Sequence, residues 1–375
     1  MTETAAPSPS LFWDNPMMAT DGTPNGAAVV DELLTAASRD NDRTLFVLSA
    51  GFDPRSTAGL ARFIDSTGSA PHVLAINPQP GSEASGDELA ARRAVNEAAI
   101  VGLATRTRHD WGYPAVHDEA SAGRQLARDL TAPGALKDID TVMFDLSAFP
   151  TTLAFPMLNA LLQRTGTAGF PTELLVLVTQ NPQLDGDITE DGLGAAHQLP
   201  GFGKRSQRAR SIAVRVWAPV LGRGAGPAMK KIADVLDPQE VCPVLPFPAR
   251  DPRIADQLLL EHRDLIRDRF EVQPTSFIYA AETNPFDLYR TLVKFDIDYQ
   301  HILGPIGGAD VTLSSHGSKL LSIGALLAAY ERKLQVLAVR ATRRTLNRAH
   351  WEPEARDADQ LACVWLKGEP YDLPQ

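Results

Sequence analysis

The chain has little cysteine and no excess of positive charge, and both shortages restrict the class of protein. Its two cysteines, Cys242 and Cys363, are far apart, and each lies in an apolar, strand-like run. We therefore predict buried free thiols rather than a disulfide or a metal site. Lysine and arginine number 36 against 46 aspartates and glutamates, which gives a net charge of −10. This balance argues against non-specific attraction to nucleic acid or to an anionic membrane, although a local basic patch could still bind a phosphorylated ligand.

Long hydrophobic runs are also missing. No apolar run is long enough to span a bilayer, and the N-terminal sequence MTETAAPSPSLFWDNP has neither the basic region nor the apolar core of a signal peptide. Together with the free cysteines, these absences predict a cytoplasmic protein that does not enter a membrane.

The apolar residues fall in short runs that alternate with amphipathic segments. Hydrophobic residues make up 44% of the 375 residues and charged residues 22%, as in a globular protein long enough for two domains. This alternation predicts an α/β fold class, with two Rossmann-like units of mainly parallel sheet flanked by helices. The predicted strands are 44–49, 72–77, 139–146, 173–179, 241–245, 276–280, 311–313 and 334–339, with another within 211–220 and a final edge strand at 360–367.

Changes in composition divide the chain into four segments. Residues 1–26, rich in Pro, Ser, Thr and Gly, form an N-terminal arm, and residues 27–180 form the first Rossmann-like unit. Residues 181–210 are poor in apolar residues, so we expect a polar linker or an inserted loop there. Residues 211–375 form the second unit.

Three polar or glycine-rich clusters have suggestive composition without the spacing that a site requires. The acidic cluster at 185–191 lacks the ligand order of a calcium loop, and the glycine-rich turn at 222–227 matches neither the P-loop nor the full dinucleotide fingerprint. In the loop 106–119 no nucleophile or ligand spacing links the polar and aromatic residues, and a connecting loop explains them equally well. These residues are His109, Asp110, Trp111, Tyr113 and His117.

The segment 310–340 contains a complete strand, polar loop, helix and second strand. The strand at 311–313 leads into small hydroxyl residues and Gly317, and Lys319 begins a helix with apolar residues at spacings of three and four. Hydroxyls and backbone N–H groups at a helix N-terminus, beside a lysine, are suited to phosphate or carboxylate. Equally, Ser315 or Ser318 could be an ordinary N-cap and Lys319 a solvated residue of the first turn.

The string LSSHGSKLLSIGALLAA at 313–329 resembles the strand-to-helix signature of the CRISPR-associated Rossmann-fold sensor domains. The usual threonine and double glycine of that signature are replaced here by Ser318, His316 and Gly317. The resemblance implies a nucleotide sensor in which the loop faces a nucleotide phosphate. The residues that would face it are Ser315, Gly317, Ser318 and Lys319.

Further candidates occupy the predicted carboxyl ends of other strands, where ligands collect in open α/β sheets. The complete set of candidate ligand-binding residues is Gly51, Arg55, Asn77, Glu282, Asn284, Ser315, Gly317, Ser318 and Lys319. Each has a structural alternative, which is a helix cap for Asn284 and Ser315 and a surface charge for Arg55.

Three functions remain open from the sequence. The first is a nucleotide-binding sensor or regulatory protein, of the bacterial stress or phage-defence kind that the resemblance implies, in which a small anionic ligand shifts a homodimer or partner interface. The second is an S-adenosylmethionine-dependent methyltransferase, because LFVLSAGFDPR, VLAIN and DTVMFDLS are similar to its cofactor-binding strands, although Asn77 stands where a carboxylate is wanted. The third is a protein-interaction scaffold. No catalytic triad, metal-ligand spacing or convincing carboxylate pair is present, so whether the chain is an enzyme stays open, and no metal or specific cofactor is predicted.

Overall fold

The computed structural model describes residues 11–78, 87–104, 106–107, 119–181, 184–185, 188–203, 213–346 and 359–372. The polar residues considered at 108–118 lie outside these ranges. The described residues form an α/β protein with two mainly parallel sheets of seven strands each, flanked by helices. The predicted fold class is confirmed.

The strands follow the expected order, with some differences at their ends. They are β1 (Met17–Thr20), β2 (Thr44–Ser49), β3 (His72–Ile76), β4 (Arg106–Thr107), β5 (Thr141–Asp145), β6 (Glu173–Gln180), β7 (Ile188–Gln198), β8 (Val214–Val220), β9 (Glu240–Val241), β10 (Val244–Pro246), β11 (Ile278–Ala280), β12 (Ala309–Ser315), β13 (Gln335–Leu346) and β14 (Gln360–Lys367).

The helices cover the faces of the sheets. They are α1 (Gly26–Ala37), α2 (Ala58–Thr67), α3 (Asp87–Leu103), α4 (Glu119–Leu130), α5 (Thr151–Arg164), α6 (Gly226–Leu236), α7 (Ile254–Glu261), α8 (Pro285–Leu303), α9 (Lys319–Arg332) and α10 (Glu369–Asp372), with short 3-10 turns and a π-helical turn at Asp264–Arg269 between them. None of the helices within the described ranges has the length and apolarity needed to cross a membrane.

The first sheet has the order β1-β14-β6-β5-β2-β3-β4. Strands β2 to β6 pair in parallel, whereas β14 is antiparallel to both β6 and β1. The prediction that 360–367 is an edge strand is wrong, because β1 covers its second side, and this strand lies in the first sheet rather than in the second unit. Six consecutive buried residues, Leu361 to Leu366, suit this interior position.

The second sheet has the order β11-β10-β8-β12-β13-β7, with β9 beside β8. All its pairs are parallel except that of β13 with β7. The prediction of a linker or loop at 181–210 is therefore wrong for Ile188–Gln198, which forms an edge strand. None of residues 192–198 is buried, and an edge strand with so little burial has no apolar alternation from which it could be recognised.

One apolar core extends from the first sheet to the second. It includes Val142 of β5 and Leu313 of β12, together with the helices α5 and α9 that follow these two strands. Both cysteines are buried and free, as predicted, and burial raises the pKa of each thiol to about 12. Because the core is shared, the two sheets are joined by packing as well as by the chain.

Helices α8 and α9 approach closely at Gly324, and substitution there provides a test of this packing. A Cβ at residue 324 would lie 2.4 Å from the carbonyl oxygen of Pro285, a backbone atom that cannot rotate away. We expect Gly324→Ala to lower the free energy of unfolding by about 1–3 kcal/mol, measured by urea denaturation. Gly304→Ala is the matched control, since a Cβ there meets nothing within 4 Å. Equal stability of the two variants would contradict the close approach.

Candidate functional site

A cleft of about 510 Å³ lies between the carboxyl ends of the two sheets. Four strands in each sheet contribute a lining residue that lies at the C-terminal end of the strand or no more than two positions beyond it. In the first sheet these residues are Gly51, Pro78, Ser147 and Gln180, and in the second they are Leu221, Pro246, Glu282 and Ser315. Because parallel strands end at the same edge of a sheet, the ends of eight strands contribute to one cavity.

Among the described residues, four helices also begin at this cleft. The first residues of α5, α7 and α9 line it, as does Ala225, the N-cap of α6, and each helix N-terminus carries partial positive charge. At α9, the hydroxyl of Ser318 accepts a hydrogen bond from the N–H of Leu321 at 3.3 Å, so Ser318 is the N-cap. The Ser315 hydroxyl lies 2.8 Å from the Ser322 hydroxyl. The hydroxyls of both serines are therefore hydrogen-bonded to residues of α9.

Lys319 connects the second sheet to the first. Its ammonium Nζ donates to the carbonyl oxygen of Phe149, in the loop between β5 and α5, at 2.6 Å. Its positive charge also contributes to lowering the pKa of Asp53 across the cleft. Lys319 is thus a cation held at the junction of both sheets.

Arg55 is neutralised by two carboxylates. Its guanidinium donates from Nη2 to Asp53 and from Nη1 to Asp185, each at 2.7 Å, and the residue is 2% exposed. Burial alone would lower the pKa of Arg55, but the two carboxylates outweigh it and raise that pKa. Burial alone would likewise raise the pKa of Asp53, and Arg55 reverses the shift. The alternative predicted from the sequence, a surface charge, is wrong for Arg55. Its buried guanidinium is bound by the buried Asp53 and by Asp185, a carboxylate 130 residues away that is about half exposed.

The cleft is also lined by two arginines that were not predicted from the sequence. Arg223 in the turn before α6 donates to the side-chain oxygen of Gln257, and Arg250 beyond β10 donates to the side-chain oxygen of Gln180 at 2.7 Å. Both arginines follow a strand end by a few residues, which is the same signal that selected the other candidates. The position of a strand end could therefore have identified them.

The predicted residues fall into two groups. Seven line the cleft, namely Gly51, Arg55, Glu282, Ser315, Gly317, Ser318 and Lys319. Asn77 and Asn284 do not. The amide of Asn77 donates to Glu97, and the side chain of Asn284 accepts from the N–H of Phe286 at 3.1 Å as the N-cap of α8. The capping alternative is thus confirmed for Asn284.

Asp145, at the end of β5, is a buried carboxylate that the sequence did not single out. Its Oδ1 accepts from the backbone N–H and the hydroxyl of Ser147, and no described residue bonds to its Oδ2, which lies against Gly59. Burial raises the pKa of Asp145 to about 7, opposed by the Ser147 bonds and reinforced by the Asp53 carboxylate. The Asp145 carboxyl therefore keeps its proton to a higher pH than an ordinary aspartate does.

No protein-family model and no curated protein matches the chain. Among solved structures, a universal stress protein from Archaeoglobus fulgidus DSM 4304 aligns over 79% of this chain and 96% of its own, with 10% identity and a TM-score of 0.24. The glycosyltransferase SnogD from Streptomyces nogalater aligns over 76% of this chain and 79% of its own, with 15% identity and a TM-score of 0.22. At such TM-scores the backbones differ too much for residues of this cleft to be matched with theirs.

Proposed function

We propose that the protein binds a nucleotide-class anionic ligand in the cleft between the two sheets and acts as a sensor or regulatory protein. The observation that carries the proposal is the convergence of eight strand ends and four helix N-termini of the described residues on one cavity. Anionic ligands bind at both kinds of position in α/β proteins, since backbone N–H groups point toward them there.

The dimensions and lining of the cleft support a ligand of nucleotide size. Small-molecule pockets typically measure roughly 300–1,000 Å³ and combine apolar walls with a few polar groups. Here the polar groups include Lys319 and Glu282, and apolar walls come from residues such as Phe52, Leu193 and Ile254. The carboxylate of Glu282 accepts from the backbone N–H of Arg250 at 3.1 Å through Oε2, which leaves Oε1 for a ligand hydroxyl such as that of a ribose.

The regulatory part of the proposal follows from the position of the cleft. A ligand there touches loops of both sheets, so binding can change how those loops present themselves to a second copy of the chain or to a partner protein. A role in bacterial stress or phage defence belongs to this proposal through the resemblance at 313–329. The methyltransferase alternative is less well supported, because Asn77 is outside the cleft lining and its amide is bonded to Glu97.

The proposal is tested by calorimetric titration with ATP, cyclic oligoadenylates, NAD and S-adenosylmethionine, repeated on Lys319→Met. This substitution removes the charge and leaves a side chain of similar length. We expect a nucleotide of the panel to bind, and the variant to bind it about 10-fold more weakly or worse, because a hydrogen bond to a charged group contributes about 1.5–3 kcal/mol. Lys294→Met, exposed on α8 and outside the cleft lining, is the matched control.

Two results would oppose the proposal. Silence across the panel would favour a scaffold, and S-adenosylmethionine binding alone, retained in Lys319→Met, would favour the methyltransferase. Thermal unfolding of each variant separates lost affinity from lost folding.

A further inference from the structure

The cations of the cleft differ in what neutralises them. Among the described residues, four line it, namely Arg55, Arg223, Arg250 and Lys319, against the three carboxylates of Asp53, Asp185 and Glu282. Two of these three carboxylates bind Arg55. By contrast, the guanidinium groups of Arg223 and Arg250 each donate to a neutral glutamine oxygen. Among the described residues, the charge of these two arginines is therefore held in place without a bonded counter-charge.

Arg250 has this arrangement despite being partly buried. Burial lowers its pKa, and the attraction of Glu282 and Asp21 offsets only part of that shift. Within the described part of the chain, neither Arg250 nor Arg223 has a carboxylate oxygen within 4.0 Å of its guanidinium. Burying a charge without a paired group is unfavourable, so an anion in the cleft would stabilise Arg250 in its position.

The two arginines emerge from neighbouring strands. Strands β8 and β10 pair in parallel, with Val220 opposite Val244, and adjacent strands lie about 4.8 Å apart. Arg223 follows the end of β8 by three residues and Arg250 follows the end of β10 by four. Side chains as long as arginine on such neighbouring loops can reach one ligand from two sides.

We infer that the ligand carries at least two adjacent phosphate groups, as in a nucleoside di- or triphosphate, and that Arg223 and Arg250 bind them. This inference rests on the proposed nucleotide site and assigns the residues that bind the charged groups of the ligand. A guanidinium has five N–H donors in a planar fork suited to phosphate oxygens, and one bond to glutamine leaves the others for the ligand. Gln257 and Gln180 are positioning residues, because each orients a guanidinium without adding a negative charge that would repel phosphate.

The test is calorimetric titration of the full chain with inorganic pyrophosphate, ATP, AMP and adenosine. We expect pyrophosphate and ATP to bind, and Arg223→Ala and Arg250→Ala each to weaken ATP binding about 10- to 100-fold. Adenosine affinity should be the same in all variants, since it has no phosphate. Arg253→Ala is the matched control, because this exposed arginine at the start of α7 is close in sequence to Arg250 but does not line the cleft.

The outcomes separate this inference from the proposed function. If ATP binds the double variant Arg223→Ala, Arg250→Ala as tightly as the unaltered protein, or if adenosine binds as tightly as ATP, the inference is overturned while nucleotide binding stands. If neither ATP nor any other nucleotide binds, both are overturned. Unchanged thermal unfolding shows that each variant is folded, and a weaker pyrophosphate affinity at higher salt is the expected signature of the charged contact.

Discussion

Replacing Trp13 by alanine is expected to lower the free energy of unfolding by about 3–5 kcal/mol, as for other fully buried tryptophans. The side chain is 0% exposed, and its indole N–H donates to the carbonyl oxygen of Leu366 at 2.9 Å. Its ring packs against Tyr289 and Tyr330, with centroids 5.3 and 6.1 Å away. Alanine would leave both a cavity and an unpaired buried carbonyl.

The large effect follows from what Trp13 connects. Leu366 belongs to β14 of the first sheet, whereas Tyr289 and Tyr330 belong to α8 and α9, which flank the second sheet. The N-terminal arm therefore holds both halves of the molecule, and it continues into β1 at the edge of the first sheet. Losing the anchor weakens this junction as well as the local packing.

Urea denaturation followed by circular dichroism measures the change, with Phe12→Ala as the matched control. Phe12 adjoins Trp13, with ring centroids 4.6 Å apart, but is 42% exposed. We expect its removal to cost about 1 kcal/mol, because much of its surface already faces water. If Trp13→Ala unfolds at the same urea concentration as Phe12→Ala, the arm does not join the two halves.

The sequence predicted the α/β elements well because a parallel strand is buried on both faces. Thr44–Ser49 was predicted and observed with the same bounds, and all six residues are buried. The start of α9 at Lys319 was also predicted, because a capping serine and the apolar spacing agree there. Such elements are encoded by neighbouring residues, which a single sequence displays directly.

What could not be predicted depends on contacts between distant residues. Nothing local to β14 indicates that it joins the first sheet, where Gln360 pairs with Gln180, 180 residues earlier in the chain. In the same way, the ion pair of Arg55 with Asp185 joins residues 130 apart. Arg55 was a candidate for binding a ligand, but its guanidinium is already bound to carboxylates of the protein. Position at a strand end was visible in the sequence, but the neutralisation of each charge was not.

The shared core also limits how a ligand could act. Because apolar residues of both sheets pack in one cluster, separating the sheets would expose surface that is now buried. We therefore expect the response to a ligand to be confined to the loops at the cleft, such as 222–225 and 315–318, rather than a closure of one half onto the other. Small shifts of such loops suffice to change a surface presented to a partner.

Replacing Asp145 by asparagine is expected to remove most of a pH dependence of stability. The Asp145 side chain is buried and its pKa in the folded protein is about 7, whereas the pKa of an aspartate in the unfolded chain is about 3.9. Between these values the folded chain keeps a proton that the unfolded chain has lost. The free energy of unfolding therefore falls as pH rises from about 4 to about 7, by about 4 kcal/mol, and the contribution is constant above that range.

Asparagine resembles the protonated carboxyl in shape and charge, so the variant lacks this fall. The side-chain oxygen of the variant Asp145→Asn can still accept from Ser147. Its NH₂ group faces Gly59, where Oδ2 has no described partner, and a buried donor without a partner lowers the free energy of unfolding by about 1–3 kcal/mol at every pH. We expect Asp145→Asn to be less stable than the unaltered protein near pH 4.5 and more stable near pH 8.

Urea denaturation across pH 4–8 measures the difference, and Asp256→Asn on the exposed face of α7 controls for the loss of one surface charge. A stability difference that stays constant with pH would show that Asp145 is ionised in the folded protein throughout this range, and would contradict its raised pKa.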